Sequence, residues 1–126
     1  MFTPVQTQLP PMEDRIHTLA NLLIGIEVQP EPKVKTLLAD LTPDTPWGKR
    51  QMAAKKLGHL RSTEAVPGLL ATLPVDPFWM VRCAIIQALE MIGDERAIPT
   101  LKEVAEKDDF QVVRGYAMKA IEGLSQ

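Results

Sequence analysis

The sequence predicts an all-α fold, an α-solenoid of stacked helical pairs with about seven helices. Two observations predict it. The chain repeats itself at an offset of 32 residues. Within each copy, apolar residues recur at spacings of three and four, the period of a helix and not the alternation of a strand.

At that offset Asp44, Asp76 and Asp108 coincide, and so do Arg50, Arg82 and Arg114, each six residues after its aspartate. Leu57, Leu89 and Ile121 fall together, then Leu60, Ile92 and Leu124. Trp47 matches Trp79, Phe78 matches Phe110, and Val81 matches Val113. Ala65, Val66 and Pro67 match Ala97, Ile98 and Pro99. The shift also carries Val34, Leu37, Leu38 and Leu41 onto Val66, Leu69, Leu70 and Leu73.

Taken in chain order, residues 1–10 are expected to be flexible and 12–26 to form an N-terminal capping helix. Gly25, Pro30 and Pro32 mark the end of that cap. Helices are then expected at 33–41, 46–60, 63–73, 77–92, 95–107 and 109–124. They pair into repeats 33–60, 63–92 and 95–124 within a single domain spanning 1–126. The second Asp-led helix has Val81, Ala84, Ile85, Ala88, Leu89 and Ile92 as a broad apolar face, wide enough to meet helices on more than one side. Gly93 ends it, and Asp94 is an N-cap for the shorter helix that follows. Pro99, near the fifth residue of that shorter helix, removes a backbone donor and should kink it; Pro67 does the same one repeat earlier. The third Asp-led helix repeats the stripe with Val113, Ala117, Ala120, Ile121 and Leu124. Helices this short cannot bury a face alone; stacked, they share one core.

Composition excludes several classes of function. The 126 residues are 45% hydrophobic and 24% charged, ordinary for a globular protein, with a net charge of −2. Nothing in that balance favours nucleic acid or an anionic membrane. Cys83 is the single cysteine, so no internal disulfide can form. The first residues lack a secretion signal, and the longest apolar stretch, Leu19 to Ile26, is too short to span a membrane. A cytoplasmic location with no membrane span is expected.

The run Asp76, Trp79, Val81, Arg82, Ala88, Leu89, Ile92, Gly93, Asp94, Ala97, Ile98, Pro99 and Leu101 resembles the HEAT-like repeats named after phycocyanobilin lyases. Ile85 departs from the pattern, which has alanine there. The third unit keeps Asp108, Val113, Arg114 and Ala120, and the first keeps Asp44, Trp47 and Arg50, so the resemblance covers residues 33–124. It implies a right-handed α-solenoid of HEAT-like pairs, with the Asp-led helices lining the concave side. It also implies a structural ladder in which Asp44, Asp76 and Asp108 cap backbone amides and pair with Arg50, Arg82 and Arg114 of neighbouring repeats.

Candidate binding residues lie elsewhere. Trp47 and Trp79, one repeat apart, form either an aromatic platform or simple cover for the turns at which their helices begin. Off the apolar stripe the columns disagree: Gln51, Cys83 and Gly115; Lys55, Gln87 and Lys119; Gly58, Glu90 and Glu122; His59, Met91 and Gly123. That is the pattern of a ligand-facing or unconstrained ridge, and it nominates Gln51, Lys55, Gln87, Glu90, Met91, Lys119 and Glu122 with the two tryptophans for partner binding. Lys49, Arg50, Lys55, Lys56 and Arg61 make 47–61 a basic helix that could contact phosphates, but the charges spread around it, which disfavours nucleic acid. His17 and His59 lack companions at zinc spacing, and nothing resembles a phosphate loop or a nucleophile elbow. Arg82 beside Cys83 would lower the thiol pKa, though a lone helical cysteine is more often inert. No catalytic residue, metal or cofactor is expected. The expected function is a non-enzymatic protein–protein scaffold. The alternatives are an accessory role in phycobilin attachment, and nucleic-acid binding through helix 47–61.

Overall fold

The positions that recur at three- and four-residue spacing are the ones the protein buries. In a computed structural model, which describes residues 30–126, Val34–Gln126 forms one compact unit. Six α-helices follow one another: α1 (Pro30–Ala39), α2 (Trp47–Leu60), α3 (Val66–Thr72), α4 (Trp79–Ile92), α5 (Ile98–Lys107) and α6 (Gln111–Leu124). There is no strand among the described residues. The expected flexible segment 1–10, the capping helix 12–26 and His17 lie outside them.

The Asp-led helices stack in series, α2 on α4 and α4 on α6, while α3 packs on α4 and α5 on α6. α4 is therefore covered from several sides. Its residues from Val81 to Ile86 are buried without a break, as a broad apolar face between two neighbours requires. A single core runs through the stack, from Val34 and Leu37 through Leu57, Leu69 and Leu89 to Leu101, Val113 and Leu124. Each fully enclosed leucine contributes about 2 kcal/mol of transfer free energy.

The two helix-pattern prolines act differently from the expectation. Short 3-10 turns, Thr63–Ala65 and Glu95–Ala97, precede α3 and α5, and Pro67 and Pro99 sit in the first turn of each α-helix. A first-turn residue has no intrahelical acceptor for its N–H, so proline costs nothing there and starts a helix instead of kinking one. Asp94 accepts from the Arg96 backbone N–H at 2.9 Å and holds the second of these turns.

Two backbone details set how the stack closes. Gly93 ends α4 in the left-handed region at φ 78°, and the matching position after α2 is Arg61, at φ 53°. At Gly58, a Cβ would stand 2.8 Å from the Cα of Ala88. α2 and α4 meet backbone to backbone there, an approach only glycine permits. Gly58 is thus buried in the helix contact, and Cys83 is buried as well, so both leave the ridge on which their columns had placed them.

Candidate functional site

Two rungs, one buried and one part-buried, tie the repeats together at the entrances of the Asp-led helices. Arg50 meets Asp76 side-on, Nε to Oδ2 at 2.8 Å and Nη2 to Oδ1 at 3.1 Å. Arg82 meets Asp108 in the same way, at 2.8 Å and 3.0 Å. Each carboxylate also accepts the amide two residues on, Phe78 N–H at 3.0 Å and Phe110 N–H at 2.9 Å. The third nitrogen of Arg82 donates to the Asp76 carbonyl at 2.7 Å, and that of Arg114 donates to the Asp108 carbonyl. Burial alone would raise the Asp108 pKa. The Arg82 guanidinium, the Phe110 amide and the nearby charges of Arg82 and Arg114 outweigh it and hold the carboxyl below its ordinary value.

Aromatic rings roof the rungs. Phe78 stacks on Trp47 with centroids 5.7 Å apart, and Phe110 stacks on Trp79 at 6.0 Å. Arg50 lies over the Phe78 ring, and Arg82 over the Phe110 ring, each at 5.7 Å. The tryptophans thus pack on the phenylalanines that cover the arginines, while keeping part of their own surface exposed.

Asp44 departs from this pattern. It is exposed and joins no ion pair among the described residues. The position that should supply its amide is Pro46, which has no N–H, and Arg50 Nη1 donates to the carbonyl of Thr45 instead. One repeat before Arg50 the register falls on Thr18, not on an arginine.

Lys55, Gln87, Glu90, Met91 and Lys119, of the nominated ridge residues, gather along one side of α2, α4 and α6. Lys55 and His59 of α2 face Gln87, Glu90 and Met91 of α4 across an open depression floored by Ala84 and Ala88. Next to it, Gln87 and Glu90 face Tyr116 and Lys119 of α6 across a smaller one. Gln87 and Glu90 belong to both, so the two form one track with cationic ends and an anionic middle. His59 Nδ1 lies 2.8 Å from the Lys55 carbonyl; a carbonyl can only accept, so Nδ1 donates there. Of the other nominated residues, Gln51 is half-buried, and neither it nor Glu122 lines either depression. Tyr116 and the alanine floor were missed. Tyr116 shares a column with Met52 and Ala84, which varies in size as the other ridge columns vary in charge.

The family description of HEAT repeats matches residues 34–122, well over half of the chain. The chain belongs to the HEAT-repeat family. The match is to HEAT repeats in general and carries no lyase-specific feature. No curated protein matches the chain.

Other features of this HEAT-repeat chain bear on its chemistry. Among the described residues no three His, Cys, Asp or Glu side chains come together as a metal site requires, and no helix is long and apolar enough to cross a membrane. Burial pushes the Cys83 thiol up; the Arg82 charge pulls it down and loses, because the thiol lies within the stack. On the basic helix, Arg50 is 4% exposed and committed to Asp76, leaving Lys49, Lys55, Lys56 and Arg61 to face outward.

Proposed function

We propose that this chain is a non-enzymatic protein–protein interaction module that reads its partner along the track formed by α2, α4 and α6. The observation that carries this reading is the alternation Lys55, Glu90, Lys119 around shared Gln87, set over small alanines. An open surface with both signs of charge and a few apolar contacts suits a protein partner. Taking the family's coil as right-handed, this track lies on the concave side, with residues 12–26 as the cap of the first repeat and the cytoplasm as the setting. The rungs of Arg50, Arg82, Asp76 and Asp108 serve stability and not recognition.

The test is affinity capture with the tagged chain and with a Gln87→Arg, Lys119→Glu variant shown by circular dichroism to melt as the parent does. The reading requires one defined protein retained by the parent and lost by the variant. If that protein stays with the variant but is lost from Trp47→Ala, Trp79→Ala, the partner uses the aromatic edge and the track is dismissed.

An accessory role in pigment attachment is supported by the motif resemblance alone. It requires an absorbance change on mixing with a bilin, and an unchanged spectrum counts against it. Nucleic-acid binding is weakened by the commitment of Arg50 to Asp76. It requires a salt-steep affinity that Lys55→Glu with Lys56→Glu removes.

A further inference from the structure

The repeat supplies its own control for what a covered face looks like. On α4 the side turned to the next repeat carries Arg82, Cys83, Ile86 and Leu89, which are 8%, 7%, 1% and 0% exposed. The offset of 32 residues places Arg114, Gly115, Met118 and Ile121 at the same positions of α6. Met118 is 58% exposed, Gly115 has open space where a Cβ would stand, and Arg114 and Ile121 are half-buried. In the shorter helices, Ile98 and Ala105 of α5 are half-buried where Val66 of α3 and Leu73 just after it are enclosed. A solenoid face meant for water is polar. This one is apolar at its centre.

Its charges say what fits. Arg114 keeps the bond to the carbonyl of Asp108 that Arg82 makes to that of Asp76, yet it joins no ion pair among the described residues. Arg114 stands four residues before Met118, and exposed Glu122 stands four after. The three therefore rise along one side of α6, a turn apart. Lay a second α6 antiparallel across the first, with the two-fold axis at Met118, and each Arg114 faces the other's Glu122. Gly115 leaves room for the helices to close.

We propose that a second copy of this chain covers this face, through an antiparallel contact of α6 with α6 about a two-fold axis at Met118 and two reciprocal Arg114–Glu122 ion pairs. A contact of this kind is isologous and closes at two copies. The competing arrangement, Asp44 of one copy on Arg114 of the next, is head-to-tail and grows into filaments.

Three measurements on the full chain decide it. Sedimentation should show a concentration-dependent dimer and nothing larger. Met118→Cys should oxidise to a disulfide-linked dimer, because a residue on the axis meets its own copy; Lys119→Cys, on the neighbouring side of α6, should not. Buried Cys83 does not compete. Glu122→Arg and Arg114→Glu should each weaken the dimer by about tenfold or more, since both contacts become repulsive. Mixed together, the two variants should pair with each other, because both contacts are then restored. A monomer at all concentrations, equal cross-linking at both cysteines, or loss of association with Asp44→Arg but not with Glu122→Arg would each overturn the proposal.

Discussion

Arg82 grips the Asp108 carboxylate with two nitrogens, at 2.8 Å and 3.0 Å, and with its third reaches back to the backbone carbonyl of Asp76 at 2.7 Å. One side chain thus ties the entrance of its own helix to the entrance of the next. Arg82 is 8% exposed, so the pair works away from water. Removing the arginine leaves Asp108 buried without its cation. Arg82→Ala is expected to cost about 3 kcal/mol in urea unfolding. An unchanged midpoint together with lost partner binding would mean that the rung serves recognition.

Acid should reach the same rung. The folded Asp108 pKa lies below its ordinary value of 3.8. The stability this contributes is present above that value and is lost as pH falls through the folded one. Thermal unfolding followed from pH 6 to pH 2 should show the midpoint dropping below about pH 4. Asp108→Asn should start lower and fall less steeply over that window.

The chain leaves α2 through Arg61 in the left-handed region, where Gly93 leaves α4. A side chain there costs about 1 kcal/mol that glycine avoids. The Arg61 side chain recovers little of it, since its bond to the Met91 carbonyl is long at 3.4 Å. Arg61→Gly is therefore expected to stabilise by about 0.5–1 kcal/mol, and Gly93→Ala to destabilise by about 1 kcal/mol. Denaturant midpoints of the two variants, moving in opposite directions, check this.

Gly58 permits the approach of α2 to α4. Its missing Cβ would meet the backbone of Ala88 at 2.8 Å, where no rotamer change can relieve it. Gly58→Ala should cost about 1–3 kcal/mol despite its better helix propensity. Gly115, with open space at the same test, is the control. There, alanine should gain up to about 1 kcal/mol at concentrations where the chain is a monomer.

Much of the fold was legible because the repeat writes the same stripe several times. Val81, Ala84, Ile85 and Leu89 were assigned to the core from spacing alone, and they are buried. The prolines were harder. Pro67 and Pro99 sit inside a helical pattern, but a pattern of apolar positions does not distinguish a 3-10 turn followed by a helix from one kinked helix. Of the candidate site, Lys55, Gln87, Glu90, Met91 and Lys119 were nominated from disagreement within columns. Tyr116 was not, because which neighbour it faces is decided only when the helices stack.

The sequence by itself determined that the chain is helical, how long its repeat is, and which side of each helix is apolar. Those are local properties, set by a 32-residue offset and a spacing of three and four. Tertiary structure decided what each apolar side meets. Ile86 and Met118 occupy the same repeat position, yet one is 1% exposed and the other 58%. It also decided which carboxylate each arginine holds: the aspartate six residues back offers Arg82 only its carbonyl, and the carboxylate comes from Asp108, 26 residues on. The physical reason is the same in both cases. Burial and ion pairing depend on the neighbour that stacking supplies, and no residue carries a record of its neighbour.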